Sequence, residues 1–116
     1  MSVEAQSWTC GRCNVTVQWM AGHEANARLP EHWSKEGDEL HCLGCRRDIA
    51  GDAALALLDE GTPLADRVKV RNRARVEFEI ERDPERQNAK IASACHTSAA
   101  AVQKARERMA EAALAL

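Results

Sequence analysis

The sequence predicts a small α+β ribbon followed by an all-α unit, and three observations carry that reading. Two Cys-x-x-Cys pairs, Cys10-Gly-Arg-Cys13 and Cys42-Leu-Gly-Cys45, lie in the first fifty residues. From Leu64 onward the chain turns to charged helix formers and alanine with apolar residues at helical spacing. Charge changes sign at the same place: residues 1–63 hold five Lys/Arg against ten Asp/Glu, and residues 64–116 hold eleven against eight. The expected organisation is a four-cysteine ribbon at 1–50, a connecting helix and linker at 51–63, and a helical domain at 64–116.

The doubled cysteine pair is the pattern of a structural zinc site, because each Cys-x-x-Cys turn aims two thiolates at one tetrahedral cation. Cys10, Cys13, Cys42 and Cys45 are the expected ligands of one Zn²⁺. The loop between the pairs is longer than the about 15–20 residues usual for such sites. Gly11 and Gly44 suit tight knuckle turns. A ribbon of this size cannot bury a sufficient apolar core, so the metal supplies much of its folding free energy, on the order of 10 kcal/mol. With four thiols available, His41 is not needed as a ligand.

Along the chain, Asn14 to Trp19 alternates with the period of a strand leaving the first knuckle, residues 29–33 form a turn, and Glu39-Leu40-His41 forms a short strand entering the second. Trp8, Trp19 and Trp33 cluster in this part of the chain, and Trp33 is expected to cover the metal site. Asp48 or Asp52 caps a helix running through Ala53 to Leu58, which Gly61 and Pro63 end. Residues 66–82 satisfy two periods. Val76, Phe78 and Ile80 alternate as in a strand, whereas Val68, Asn72, Val76 and Ile80 share one helical face. Charged helix formers in the gaps and the Asp83-Pro84 stop decide for helix, with Pro84 leading the next one.

The stretch Asn88 to Arg106 resembles the helix-turn-helix of bacterial and phage DNA-binding proteins. In that motif a small residue is needed where the helices cross, and Ala92 stands there. Ile91, Cys95, Thr97, Val102 and Ala105 fall at the inter-helix core positions. His96 occupies the turn position that is usually glycine, and Ser98 caps the second helix. The resemblance implies that this second helix lies in the major groove of double-stranded DNA, presenting Ser98, Ala99, Ala100, Gln103 and Lys104. Arg73 and Arg75, in the Arg67 to Arg75 run, are expected on the phosphate backbone.

These readings predict a sequence-selective DNA-binding regulator of transcription. The acidic ribbon would contact a protein partner or a second copy. Homodimerisation is expected, and a stripe of Val102, Ala105, Met109, Ala113 and Leu116 is free to pack either on its own domain or on a second copy. The leading alternative is a zinc-dependent protein-interaction adaptor that does not touch nucleic acid, and a structural zinc protein that binds RNA is a third. The sequence lacks both the His-x-Glu that precedes Pro-Cys-x-x-Cys in zinc deaminases and a His-Glu-x-x-His, and four sulfur ligands leave no open metal position, so no enzyme is expected. The first residues hold no signal peptide, and no stretch approaches the ~20 apolar residues of a membrane span, which predicts a cytoplasmic protein.

Overall fold

A computed structural model describes residues 7–18 and 29–115. Among these residues, two antiparallel hairpins precede four helices. The chain divides into two compact units, Met1–Arg46 and Arg47–Leu116, and the division falls within the first helix.

In the first unit, β1 (Ser7–Thr9) pairs with β2 (Thr16–Gln18), with Trp8 opposite Val17. Strand β3 (Ser34–Glu36) pairs with β4 (Glu39–His41), with Lys35 opposite Leu40. The β3–β4 turn is Gly37-Asp38, with Gly37 at φ +60° in the first central position, where only glycine avoids a steric penalty. The expected turn before β3 is present: the Trp33 amide donates to the Pro30 carbonyl at 3.1 Å, and His32 takes φ +70°. Trp19, at the end of the expected first strand, and His23 and Glu24 lie outside the described residues.

Helix α1 spans Leu43–Leu55. It begins well before the expected position because the Arg46 amide donates to the Cys42 carbonyl at 2.9 Å, making the second knuckle its first turn. Asp48 and Asp52 are therefore not caps. Both face α2 (Leu64–Arg82), where Asp48 lies 3.4 Å from Arg71 and 3.2 Å from Arg75, and Asp52 lies 3.8 Å from Arg71. The two helices approach closely at buried Gly51, where an added Cβ would sit 2.9 Å from the Arg71 side chain. Between them, Arg67 gathers the carbonyls of Asp59, Glu60 and Thr62.

The stretch that satisfies two periods is helical throughout. Its inward face differs from the expected one. Val76 and Ile80 are buried, but Val68 and Asn72 are not, and the third buried residue of α2 is Glu79. Three guanidinium groups surround that carboxylate: Arg47 at 2.8 Å, Arg82 at 2.8 Å and Arg86 at 3.1 Å. Arg47 also reaches the Ala94 carbonyl at 3.3 Å, so α1, α2 and the end of α3 meet around one anion.

Helix α3 (Asn88–Cys95) starts later than Pro84 suggests. Pro84 heads a turn instead, with the Arg86 amide donating to Asp83 at 3.1 Å. Arg106 locks that turn by donating to the carbonyls of Pro84 (2.7 Å) and Arg86 (2.6 Å) and to the Asn88 side chain (2.6 Å). Helix α3 ends on His96 in the left-handed region, φ +56°, with the Thr97 amide donating back to Ala92 at 2.9 Å. Helix α4 (Ala99–Leu114) begins on Ser98, whose hydroxyl accepts from the Ala101 amide at 3.1 Å. Ile91, Ala92, Cys95, Val102 and Ala105 are buried together with Val76 and Ile80, and Met109 packs against them. Of the two alternatives for the α4 stripe, packing on its own unit holds for Val102, Ala105 and Met109, which belong to the core, while Ala113 is exposed and Leu116 lies outside the described residues.

Glu79 has no exposed surface. Burial opposes its charge, but hydrogen bonds from Arg82 and Arg47 outweigh that and hold its pKa below the ordinary 4.5. A depressed carboxyl pKa contributes stability above the unfolded pKa that is lost as pH falls through the folded one. Thermal unfolding should therefore drop in temperature below about pH 4.5, and Glu79→Gln should flatten that dependence. Glu79→Ala should cost about 3–5 kcal/mol at pH 7 by leaving three cations uncompensated. A Glu79→Ala variant as stable as wild type would contradict this role.

Candidate functional site

The first knuckle occupies the β1–β2 turn. The Cys10 amide donates to Val15 at 2.9 Å, the Asn14 amide donates to Cys10 at 3.0 Å, and Asn14 takes φ +64°, a left-handed conformation that asparagine tolerates. The Gly11 amide donates to Leu40 of β4 at 2.7 Å, tying the two hairpins together. Gly11 is required here by space, because a Cβ would fall 2.6 Å from the Glu39 side chain. Gly44 is not: it lies in the first turn of α1, and an added Cβ would meet nothing within 4 Å.

This arrangement brings the sulfurs of Cys10, Cys13, Cys42 and Cys45 within 4.8 Å of one another. The Cys13 and Cys42 sulfurs are 3.7 Å apart, close to the about 3.8 Å edge of a tetrahedron with metal–sulfur bonds of about 2.3 Å. The donor set therefore fits one tetrahedral metal ion. Cys10 and Cys45 are buried, Cys42 is half-buried and Cys13 is exposed. The Cys42 amide points at the Cys10 sulfur (3.5 Å), and the Arg12 guanidinium at the Cys45 sulfur (3.7 Å). Arg46 donates to the His32 carbonyl, bracing the loop against the helix start. His41 is buried beside Glu39, 3.4 Å from its carboxylate, and does not join the cluster.

The four thiols cannot all ionise unaided. Burial opposes ionisation of Cys10, yet backbone hydrogen bonds at Cys13, Cys42 and Arg12 and one from the Cys45 thiol bring its pKa down to about 6. Burial and the three neighbouring sulfurs push Cys45 up to about 12, against the pull of Arg12, and burial also raises Cys42. A divalent cation supplies the charge that lets all four exist as thiolates.

The second set of predicted residues lies on α2 and α4. Ala99, Ala100, Gln103 and Lys104 are exposed on the first turns of α4, next to exposed Ser98, whose hydroxyl serves the cap. Gln103 is oriented at both ends of its amide: Asn88 donates to its oxygen at 3.0 Å, and its nitrogen donates to Glu107 at 3.5 Å. Arg73 is exposed, whereas the Arg75 side chain is only 11% exposed and faces Asp48. Arg75 thus packs against Asp48 of α1, while Arg73 is open to solvent. Glu79 and Arg106 are missed by sequence reasoning, which assigns neither a role. The available signal is that Glu79 falls three residues after Val76 and next to Ile80, on the buried face.

Metal loading should release protons and weaken as pH falls, since the ligands bind as thiolates. Cys42→Ser should abolish tight loading and melt the hairpins while most helical signal is retained. Gly44→Ala should load normally and gain up to about 1 kcal/mol in helix stability. Metal analysis, a pH indicator and circular dichroism read these outcomes, and unchanged stoichiometry in Cys42→Ser would remove the assignment.

Among the described residues no helix is long and apolar enough to cross a membrane. No protein-family model, curated protein or solved structure matches the chain.

Proposed function

We propose that this protein is a sequence-selective DNA-binding regulator of transcription, with α3 and α4 acting as a helix-turn-helix and the cysteine cluster holding one structural zinc ion. The observation that carries the reading is the α3–α4 pair itself. A small residue, Ala92, is buried with Ile91, Cys95, Val102 and Ala105, and a left-handed residue closes the turn. The outward face of the N-terminal half of α4 presents two exposed alanines, a glutamine and a lysine. Alanines permit close approach to base edges and contact thymine methyls, while an amide can bridge the N6 and N7 atoms of adenine.

The network from Arg106 through Asn88 to Gln103 supports this role because it orients the amide before any base arrives. Asn88 and Glu107 occupy only part of the Gln103 hydrogen-bonding capacity, which leaves a donor and an acceptor site for a base. Exposed Glu107 and Glu111 further along α4 would confine base contact to its first turns. Four thiolates suit zinc or an iron centre by softness and tetrahedral geometry, and zinc fits a purely structural role because it has no redox chemistry. One such helix reads few base pairs, so a dimer on two half-sites is part of the proposal. The acidic ribbon repels phosphate and is proposed to meet a protein partner.

The adaptor reading has one observation in its favour: Leu64 and Val68, one turn apart on α2, are 76% and 50% exposed. Ionic strength separates the two. Affinity for duplex DNA should fall steeply with salt, as phosphate neutralisation requires. Gln103→Ala should cost about 1–3 kcal/mol on the preferred site with little change on random duplex. If Gln103→Ala leaves both affinity and site preference untouched in a fluorescence titration, α4 is not the reader.

A further inference from the structure

A groove of about 220 Å³ runs between α2 and α4. Its floor is apolar, formed in part by Val76 and Ala101, and its walls carry Lys69 and Arg73 from α2 and Lys104 and Arg108 from α4. No acidic residue lines it. The volume is smaller than the roughly 300 Å³ at which drug-sized ligands begin to fit.

The fate of the other α2 arginines makes these four distinctive. Arg67 is bonded to carbonyls, Arg71 and Arg75 face Asp48, and Arg82 faces Glu79. Lys69, Arg73, Lys104 and Arg108 have no acidic partner among the described residues. Nε of Arg108 is also shielded from solvent with no hydrogen-bond partner, an arrangement that costs stability unless an acceptor is supplied. Lys69 and Arg73, and likewise Lys104 and Arg108, are separated by one helical turn, so each pair repels internally. An oxyanion between the two helices relieves both repulsions and accepts from Arg108.

We propose that this groove is a seat for a phosphate group, anchored by Arg108 and flanked by Lys69, Arg73 and Lys104. Phosphate fits better than carboxylate because its oxygens offer acceptors in several directions to cations arriving from two helices. The group can belong to a nucleic-acid backbone or to a free phosphate compound. The seat does not depend on α4 reading bases: of its four cations, Lys104 and Arg73 also belong to the expected DNA surface, whereas Lys69 and Arg108 do not.

The test is a heteronuclear NMR titration of the zinc-loaded full chain with pyrophosphate, against sodium chloride at matched ionic strength, and separately with duplex DNA. Pyrophosphate should shift the Arg73 and Arg108 side-chain signals saturably. Arg108→Gln and Lys69→Gln should each weaken that binding by about tenfold, the loss of one charge-assisted contact, whereas Lys90→Gln on exposed α3 should leave it unchanged. If duplex DNA shifts the same signals, the phosphate is the backbone's. If pyrophosphate binds and duplex does not, the seat serves a free phosphate compound, and the DNA-binding proposal fails while this one stands. Pyrophosphate shifts no larger than those of chloride, or shifts unaffected by both Arg108→Gln and Lys69→Gln, overturn the seat.

Discussion

The helical unit is arranged around one buried anion. Glu79 sits on the inward face of α2 and draws in Arg47 from α1, Arg82 from its own helix and Arg86 from the turn before α3. A buried ion cluster of this kind contributes little net stability compared with an apolar replacement, since desolvation offsets most of the Coulomb gain. Its effect is directional. Apolar contacts between Val76, Ile80, Ile91 and Val102 tolerate rotation of one helix against another, whereas a carboxylate with three guanidinium partners accepts few orientations. Arg106 adds a second constraint by holding the residue 84–88 turn to α4.

The same cluster sorts the cations of a chain whose basic residues are concentrated after Leu64. Some neutralise acids in the interior or between α1 and α2, and others end up on the groove between α2 and α4. Net charge alone would spread them evenly over a solvated surface. Position relative to Glu79, Asp48 and Asp52 decides which arginines pack and which can face a ligand. Arg73 and Arg75, two residues apart, point to different sides of α2 for this reason, the first exposed and the second against Asp48.

Much of this is legible in the sequence, and the omissions have a common cause. Cysteine spacing identifies the four sulfurs that come together, the strand at Glu39 to His41 matches residue for residue, and the core positions that the helix-turn-helix resemblance implies include the buried Ile91, Ala92, Cys95, Val102 and Ala105. These signals are local: each depends on residues one or two turns apart. The turn at Pro84 and the inward direction of Glu79 and Arg75 depend on partners far along the chain, such as Arg47 for Glu79, Asp48 for Arg75 and Arg106 for the Pro84 turn. A charged side chain reads as exposed until its partner is known, because burial without one would be prohibitive. The stripe on α4 leaves two alternatives open for the converse reason, since an apolar helix face does not reveal which surface covers it.

The cysteine cluster and the helical pair have separate chemistry, one organising a small ribbon without an adequate apolar core and the other presenting a polar helix face from a closed one. Sequence-selective recognition of duplex DNA by α4 is the central claim, and selection from a random duplex library with the zinc-loaded protein tests it most directly. The account predicts enrichment of a short motif whose preference relaxes at one or two base pairs in Gln103→Ala. A library that emerges unenriched at low and moderate salt, with folded and zinc-loaded protein, would contradict it.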